Sequence, residues 1–286
     1  NSWSADPYEG YIKYSFFDKD YLKQTISIDS EKPSNNFGRT ELDIDEMESN
    51  IIFKQNFDID LYDGEFLKSY TYLNLWFFDL EFIAEDSYGY DFVAGGWILD
   101  ESDSHFQPTN VSAGLNYSYE PDPFWKNRIR LSLDVNSSWI MNLLKYTDSV
   151  LSFNPKFTLY IAEFLDLTFE SSSVNRAMYK YIPAFAEGVG VDSKNIITDL
   201  LDSFNFFKHS DREISNFNIE SLSLGAVHHL GDWDLNFKYT GLLDLISDGY
   251  IKNYQWKSEF SIFVIWKPVP EIKKNISYTE NEFDFE

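Results

Sequence analysis

Residues 259–278 read EFSIFVIWKPVPEIKKNISY. Phe260, Ile262, Val264 and Trp266 occupy every second position, the period at which strand side chains share one face. The alternation stops at Lys267-Pro268-Val269-Pro270-Glu271, where prolines that cannot donate to a ladder turn the chain toward a further strand near Ile272 to Tyr278. Phe263 and Ile265 interrupt the polar face, so this end of the strand is apolar on both sides. An apolar face needs a cover, and the rest of the chain says which kind.

The same period recurs upstream. In residues 51–61, Ile51, Phe53, Phe57, Ile59 and Leu61 oppose Lys54, Asn56, Asp58 and Asp60. Residues 111–119 set Val111, Ala113, Leu115, Tyr117 and Tyr119 against Ser112, Gly114, Asn116 and Ser118. Residues 129–139 set Ile129, Leu131, Leu133, Val135 and Trp139 against Arg130, Ser132, Asp134, Asn136 and Ser138. Trp233, Leu235, Phe237 and Tyr239 oppose Asp234, Asn236 and Lys238, and Tyr8, Ile12, Tyr14 and Phe16 repeat the device near the start. HLGDWD at 229–234 and KPVPE at 267–271 read as hairpin connections. One strand per alternating run predicts roughly twelve strands, with no sign of strand–helix–strand alternation.

Strand length separates a soluble sheet from a membrane wall. Soluble strands average about five or six residues, whereas a tilted strand crossing hydrocarbon needs about nine to eleven. Residues 51–61, 109–119, 128–139 and 254–267 reach the longer class. The pattern predicts an all-β, antiparallel transmembrane β-barrel occupying residues 1–286. Trp139, Phe124, Trp125, Tyr146, Tyr250, Tyr254 and Trp266 lie near strand ends, as an aromatic girdle at the headgroup level requires. The long connection 174–213 departs from the pattern: Ile196, Ile197, Leu200, Leu201 and Phe204 recur at helical spacing and predict a short amphipathic helix.

Composition narrows the functional classes. The chain has 47 acidic and 23 basic residues, a net charge of -24, so it is a poor partner for nucleic acid. Aromatic residues make up 19% of the chain, more than a disordered acidic tail carries. Cysteine is absent, which removes disulfides and thiolate metal sites. No apolar run is long enough for a membrane helix. The chain opens at Asn1 with neither Met nor a signal segment, the expectation for a mature product or an excised piece.

Catalytic, cofactor and metal constellations are not evident. Among His105, His209, His228 and His229, the adjacent pair would point to opposite faces of a strand and could not share an ion. GVGVDSK at 188–194 lacks the spacing of a phosphate-cradling loop, and no serine sits in a nucleophile elbow. No catalytic, cofactor-binding or metal residue is assigned, and the expectation is a protein that is not an enzyme. Asp58, Asp60, Asp134, Asp234 and Glu259 fall on polar strand faces, where a closed barrel would gather negative charge in its lumen and favour cations or bridging divalent ions.

Four stretches carry a resemblance: FWKNRIRLSLDVNSSWIMNLLKYTDSVLSF at 124–153, FTLYIAEFLDLTFESSSVNRAMYKY at 157–181, LSLGAVHHLGDWDLNFKYTG at 222–241 and FSIFVIWKPVPEIK at 260–273. Together they resemble the C-terminal barrel of the LptD family, the LPS-assembly or organic solvent tolerance proteins, in its spirochaete-type form. The resemblance runs from about residue 65 to about residue 275, and Trp-Lys-Pro-x-Pro-Glu is its most distinctive word. It implies an integral outer-membrane barrel that passes lipopolysaccharide or a related glycolipid into the outer leaflet without catalysis. It also implies an LptE-like plug lipoprotein, periplasmic bridge components and outer-membrane lipids as partners. Two features depart from the family: proteobacterial members use disulfides, and the chain is short for the whole architecture, matching roughly the C-terminal half of the barrel. The rival readings are a porin or FadL-like uptake channel, an outer-membrane phospholipase or protease, and a soluble β-sandwich.

Overall fold

The computed structural model describes residues 8–29, 36–205, 210, 214–248, 251–269, 271, 273–279 and 282–285. Its strands are β1 (Tyr8–Ser15), β2 (Tyr21–Ile28), β3 (Phe37–Glu46), β4 (Ile51–Asp60), β5 (Phe66–Leu75), β6 (Phe78–Val93), β7 (Gly96–Tyr119), β8 (Ile129–Asn142), β9 (Ser149–Ile161), β10 (Leu165–Asn175), β11 (Phe217–Leu230), β12 (Trp233–Asp248), β13 (Ile251–Trp266), β14 (Lys273–Thr279) and β15 (Glu282–Phe285). They form one sheet in sequence order, with fifteen strands in place of the roughly twelve expected. Each pair whose register is resolved is antiparallel. The order is linear, and no pairing among the described residues closes it.

Two of the strands show no clear alternation. β3, FGRTELDIDE, is charged on one face and mixed on the other, and β15, EFDF, is too short to show a period. β7 is 24 residues long where the sequence marked only its second half. Bulges between Ile83 and Ala84 and between Tyr88 and Gly89 in the β6–β7 ladder absorb the irregular residues of β7. Two-residue turns set the neighbouring registers. Ala94 and Gly95 both have positive φ, 52° and 83°, the signature of a type I′ hairpin turn. Gly231, at φ 60°, opens the turn between β11 and β12.

Between β10 and β11 lie a 3-10 turn (Met178–Tyr181), helix α1 (Pro183–Gly188) and helix α2 (Ile196–Ser203). The expected short helix is α2; Phe204 lies just past its end. The chain divides into two compact units. Unit 1 comprises Asn1–Leu115, Ser138–Val150 and Arg176–Asn195, and unit 2 comprises Asn116–Ser137, Leu151–Asn175 and Ile196–Glu286.

The units differ in what they bury. The buried hydrophobic residues described in unit 1 are Ala84, Met141, Met178 and Ala186. An aromatic cluster belongs to the same unit: Tyr146 stacks on Phe185 at 4.7 Å and meets the edge of Trp97 at 4.8 Å. Tyr146, half-buried, thus packs in an aromatic cluster with Trp97 and Phe185. Among the described residues of unit 2, Phe217 is the one buried hydrophobic side chain. Leu224, Phe237, Phe260 and Ile262 keep 39–44% of their surface exposed.

Candidate functional site

The surface that sets this chain apart is the apolar face of unit 2. Cross-strand register builds it row by row, because residues directly opposite in a ladder share a face. One row runs Phe157, Phe169, Leu224, Tyr239, Phe260 and Tyr278, across β9 to β14. The next runs Leu159, Leu167, Ala226, Phe237, Ile262 and Ile276. A third continues through Ile161, Leu165, His228, Leu235 and Val264. Phe260 lies 4.8 Å from Tyr239 and 6.3 Å from Phe237, ring centre to ring centre. A shallow depression of about 330 Å³ between Phe157, Leu167, Leu224 and Phe237 is lined almost wholly by carbon.

Aromatic rings that carry a polar atom stand at the ends of this face. Trp233 and Trp266, opposite each other at the hairpin end, stack at 6.0 Å. Toward the other end, Trp256 lies across Gly241, where a Cβ would collide with its ring. The Trp256 indole Nε1–H donates to the Tyr239 hydroxyl at 3.1 Å, and that oxygen lies 3.2 Å from Ser258 Oγ. Trp125 is 64% exposed in the connection before β8. Tyr250 and the side chain of Tyr254, expected in the same girdle, lie outside the described residues.

The opposite face of unit 2 is polar. Thr158, Thr168, Gly225, Lys238, Ser261 and Ser277 form one of its rows. The adjacent histidines divide between the faces: His228 Nδ1 lies 2.8 Å from the Phe164 carbonyl oxygen, while His229 points to the polar side. There the His229 ring sits between Asp234, 2.6 Å from Nδ1, and Asp166, 3.0 Å from Nε2. Lys267 Nζ closes on Asp234 at 3.0 Å. Asp134 accepts from the Ser118 hydroxyl at 2.7 Å. Phe263, paired with Asn236, and Ile265, paired with Asp234, are the apolar intrusions that the sequence marked. Among the described residues no three His, Cys, Asp or Glu side chains are grouped to hold a metal ion. His209 lies outside the described residues.

Unit 1 distributes its polarity differently. Its polar face carries ion pairs between residues directly opposite in the ladder: Lys23–Glu41 at 2.9 Å, Arg39–Asp58 at 2.7 Å, Asp43–Lys54 at 3.5 Å and Lys68–Glu85 at 3.7 Å. Arg39 grips Asp58 with both Nε and Nη2, each at 2.7 Å, the bidentate form that fixes orientation as well as charge. Asp58, expected on a polar strand face, lies there paired with Arg39. The Asp60 carboxylate accepts the Tyr62 and Asp63 backbone N–H groups in a turn. Glu259 stands opposite Thr240 and Thr279 on the polar face of unit 2.

The other face of unit 1 is apolar but broken. Ile44, Phe53, Leu73, Leu80 and Ala113 form a continuous row, and the next row holds Leu22, Leu42, Gln55, Thr71, Phe82 and Val111. Gln55 donates from Nε2 to Ser69 Oγ and to the Tyr70 carbonyl, each at 3.1 Å, and accepts the Thr71 hydroxyl at 2.5 Å. The Gln55 group satisfies itself within the sheet. Sequence reading missed it, together with the basic partners Lys23, Arg39, Lys54 and Lys68, because only the register shows who stands opposite whom.

No family model matches the chain, and no curated protein matches it.

Proposed function

We propose that this chain forms part of the wall of an outer-membrane β-barrel that moves lipopolysaccharide or a related glycolipid into the outer leaflet. The observation that carries the reading is the unit 2 sheet: six successive strands, apolar and exposed on one face, polar on the other. Full burial of a Leu, Ile or Phe side chain is favourable by about 1.5–3 kcal/mol. A band of such residues left in water would forgo that gain many times over, and hydrocarbon recovers it. Backbone polarity fits too, since an antiparallel ladder satisfies its own N–H and C=O groups, as a lipid-facing segment must. β9 to β13, at 11–16 residues, reach or exceed the about nine to eleven that a tilted strand needs, and β14, at 7, is shorter. The lipid cargo, the lipoprotein plug and the periplasmic bridge rest on the family resemblance, and transport on that reading is non-catalytic.

The test is mass spectrometry of what co-purifies with the protein extracted from its native envelope in mild detergent. Recovery of a stoichiometric lipoprotein with a glycolipid is the expected result. A stable, empty barrel that conducts ions would instead favour a diffusion or uptake channel. Recovery in the aqueous phase, with no membrane extraction, would contradict both.

A further inference from the structure

Helix α2 carries apolar residues on both sides: Ile196 and Leu200 are half-buried on the inner side, and a second apolar pair faces out. Its buried side chains are polar, Asp199 at 5% exposure and Ser203 at 1%, one helical turn apart. Its outward side carries Ile197 at 67% and Leu201 at 66%, also one turn apart. The buried polar groups are satisfied. The Asp199 carboxylate accepts from the Asn216 backbone N–H at 2.8 Å, and Ser215 Oγ donates to the Asp199 carbonyl at 2.8 Å. Ser203 Oγ donates to the Leu200 carbonyl at 2.6 Å. A helix of 8 residues is too short to persist in water by itself, so these contacts with the segment before β11 set which side faces out.

The place where α2 is fastened gives the apolar side its meaning. Asn216 immediately precedes β11, against which α2 packs. In the β10–β11 ladder Ser172 pairs with Ser221, while Ser173 pairs with Ile219. The extra residue, Glu220, returns Ile219 and Phe217 to the face that carries Leu222, Leu224 and Ala226. The helix therefore sits at the end of the strand that supplies the middle of the apolar band. From Leu222 to Leu230 the band runs about 27 Å along the strand at about 3.4 Å per residue, or about 21 Å in height at a tilt of about 40°. Lipid-facing bands of such barrels are about 25 Å tall, so α2, fastened at Asn216 six residues beyond Leu222, stands past that end of the band on the headgroup side.

We propose that α2 is an interfacial anchor, with Ile197 and Leu201 seated at the boundary between lipid headgroups and acyl chains. The proposal rests on the reading of the unit 2 band as lipid-facing. An apolar helix side held parallel to a membrane surface binds in this manner, through buried area.

The native chain has no cysteine, so Leu201→Cys and Ile262→Cys can each carry a single environment-sensitive fluorophore. The probe is phosphatidylcholine vesicles containing lipids brominated near the carbonyl end or near the methyl end of the acyl chain. The label at 201 is expected to lose emission with carbonyl-end bromines and to keep it with methyl-end bromines. The label at 262 is expected to lose emission to acyl-chain bromines as a marker of the band. If 262 is quenched while 201 responds only to aqueous iodide, the anchor is overturned and the band reading stands. If 262 is quenched while 201 is shielded from bromines and iodide alike, a protein surface covers α2, and the anchor is again overturned. If neither position is quenched by lipid, the band reading fails and the anchor fails with it.

Discussion

Units 1 and 2 are built from the same antiparallel ladders, yet they invest polarity in opposite ways. In unit 1 the polar face is a set of complementary ion pairs, and the apolar face is punctured by Gln55, Ser69 and Thr71. In unit 2 two rows, Phe157 to Tyr278 and Leu159 to Ile276, run without such a break across β9 to β14, while the row on one side carries His228 and the row on the other runs Ser171, Leu222, Gly241 and Ser258. Of the hydrophobic residues described in the unit only Phe217 is buried. Hydrophobic residues in the middle of unit 2, such as Leu224, Phe237, Phe260 and Ile262, thus stay partly exposed on one face of the sheet. The ion pairs and amide bonds of unit 1 hold its strands in register through contacts that the sheet supplies itself. Register matters most where one face must be uniform, since a one-residue slip exchanges the faces.

The largest effect that would break this comparison comes from Phe237, in the middle row of the band beside Ala226 and Ile262. Phe237→Lys is expected to destabilise the protein folded in lipid vesicles by about 2–4 kcal/mol, the cost of a cation at the hydrocarbon midplane. In water the same change at a side chain 39% exposed would stay within about 0.5 kcal/mol. Denaturant titration in vesicles separates the two. Gly241→Ala comes next. The added methyl displaces the Trp256 ring and breaks its bond to Tyr239, for an expected loss of about 1–3 kcal/mol and a changed indole emission. An unchanged spectrum would mean that Trp256 is not held there.

Unit 1 supplies the smaller effects. Asp58→Ala leaves the Arg39 fork without its carboxylate, but Arg39 is 42% exposed and can turn to water, so about 1–2 kcal/mol is expected. A double-mutant cycle with Arg39→Ala isolates the pair, and a coupling near zero would remove it as a register device. Thr71→Val deletes the hydroxyl that Gln55 accepts and is expected to cost about 1 kcal/mol in equilibrium unfolding. A stabilising result would show that this patch meets hydrocarbon, as the unit 2 band is proposed to do.

Much of the fold was legible where polarity alternates. β4, β8, β12 and β13 have apolar residues on one side and Asp, Asn, Lys or Ser on the other, so their faces could be assigned before their partners. β3 was hidden because Arg39, Glu41, Asp43 and Asp45 give it one charged face while Gly38 and Thr40 dilute the other. The early part of β7 was hidden because bulges let Asp, Ser and Pro into the strand. His228 and His229 could be separated by strand geometry alone, but the Asp166–His229–Asp234 contact could not, because it needs β10 and β12 placed on either side of β11. The same reason hid the ion pairs of unit 1. The stacking of Tyr146 on Phe185 was hidden for the same reason, because the two are far apart in sequence.

The most direct test of the lipid-facing band is cysteine accessibility along β12 in lipid vesicles, with single substitutions at Leu235, Asn236, Phe237, Lys238 and Tyr239 and a membrane-impermeant maleimide. Strict alternation is expected: cysteines at 236 and 238 react, and those at 235, 237 and 239 stay unmodified until the vesicles are dissolved. Equal reaction at all five positions in intact vesicles would contradict it.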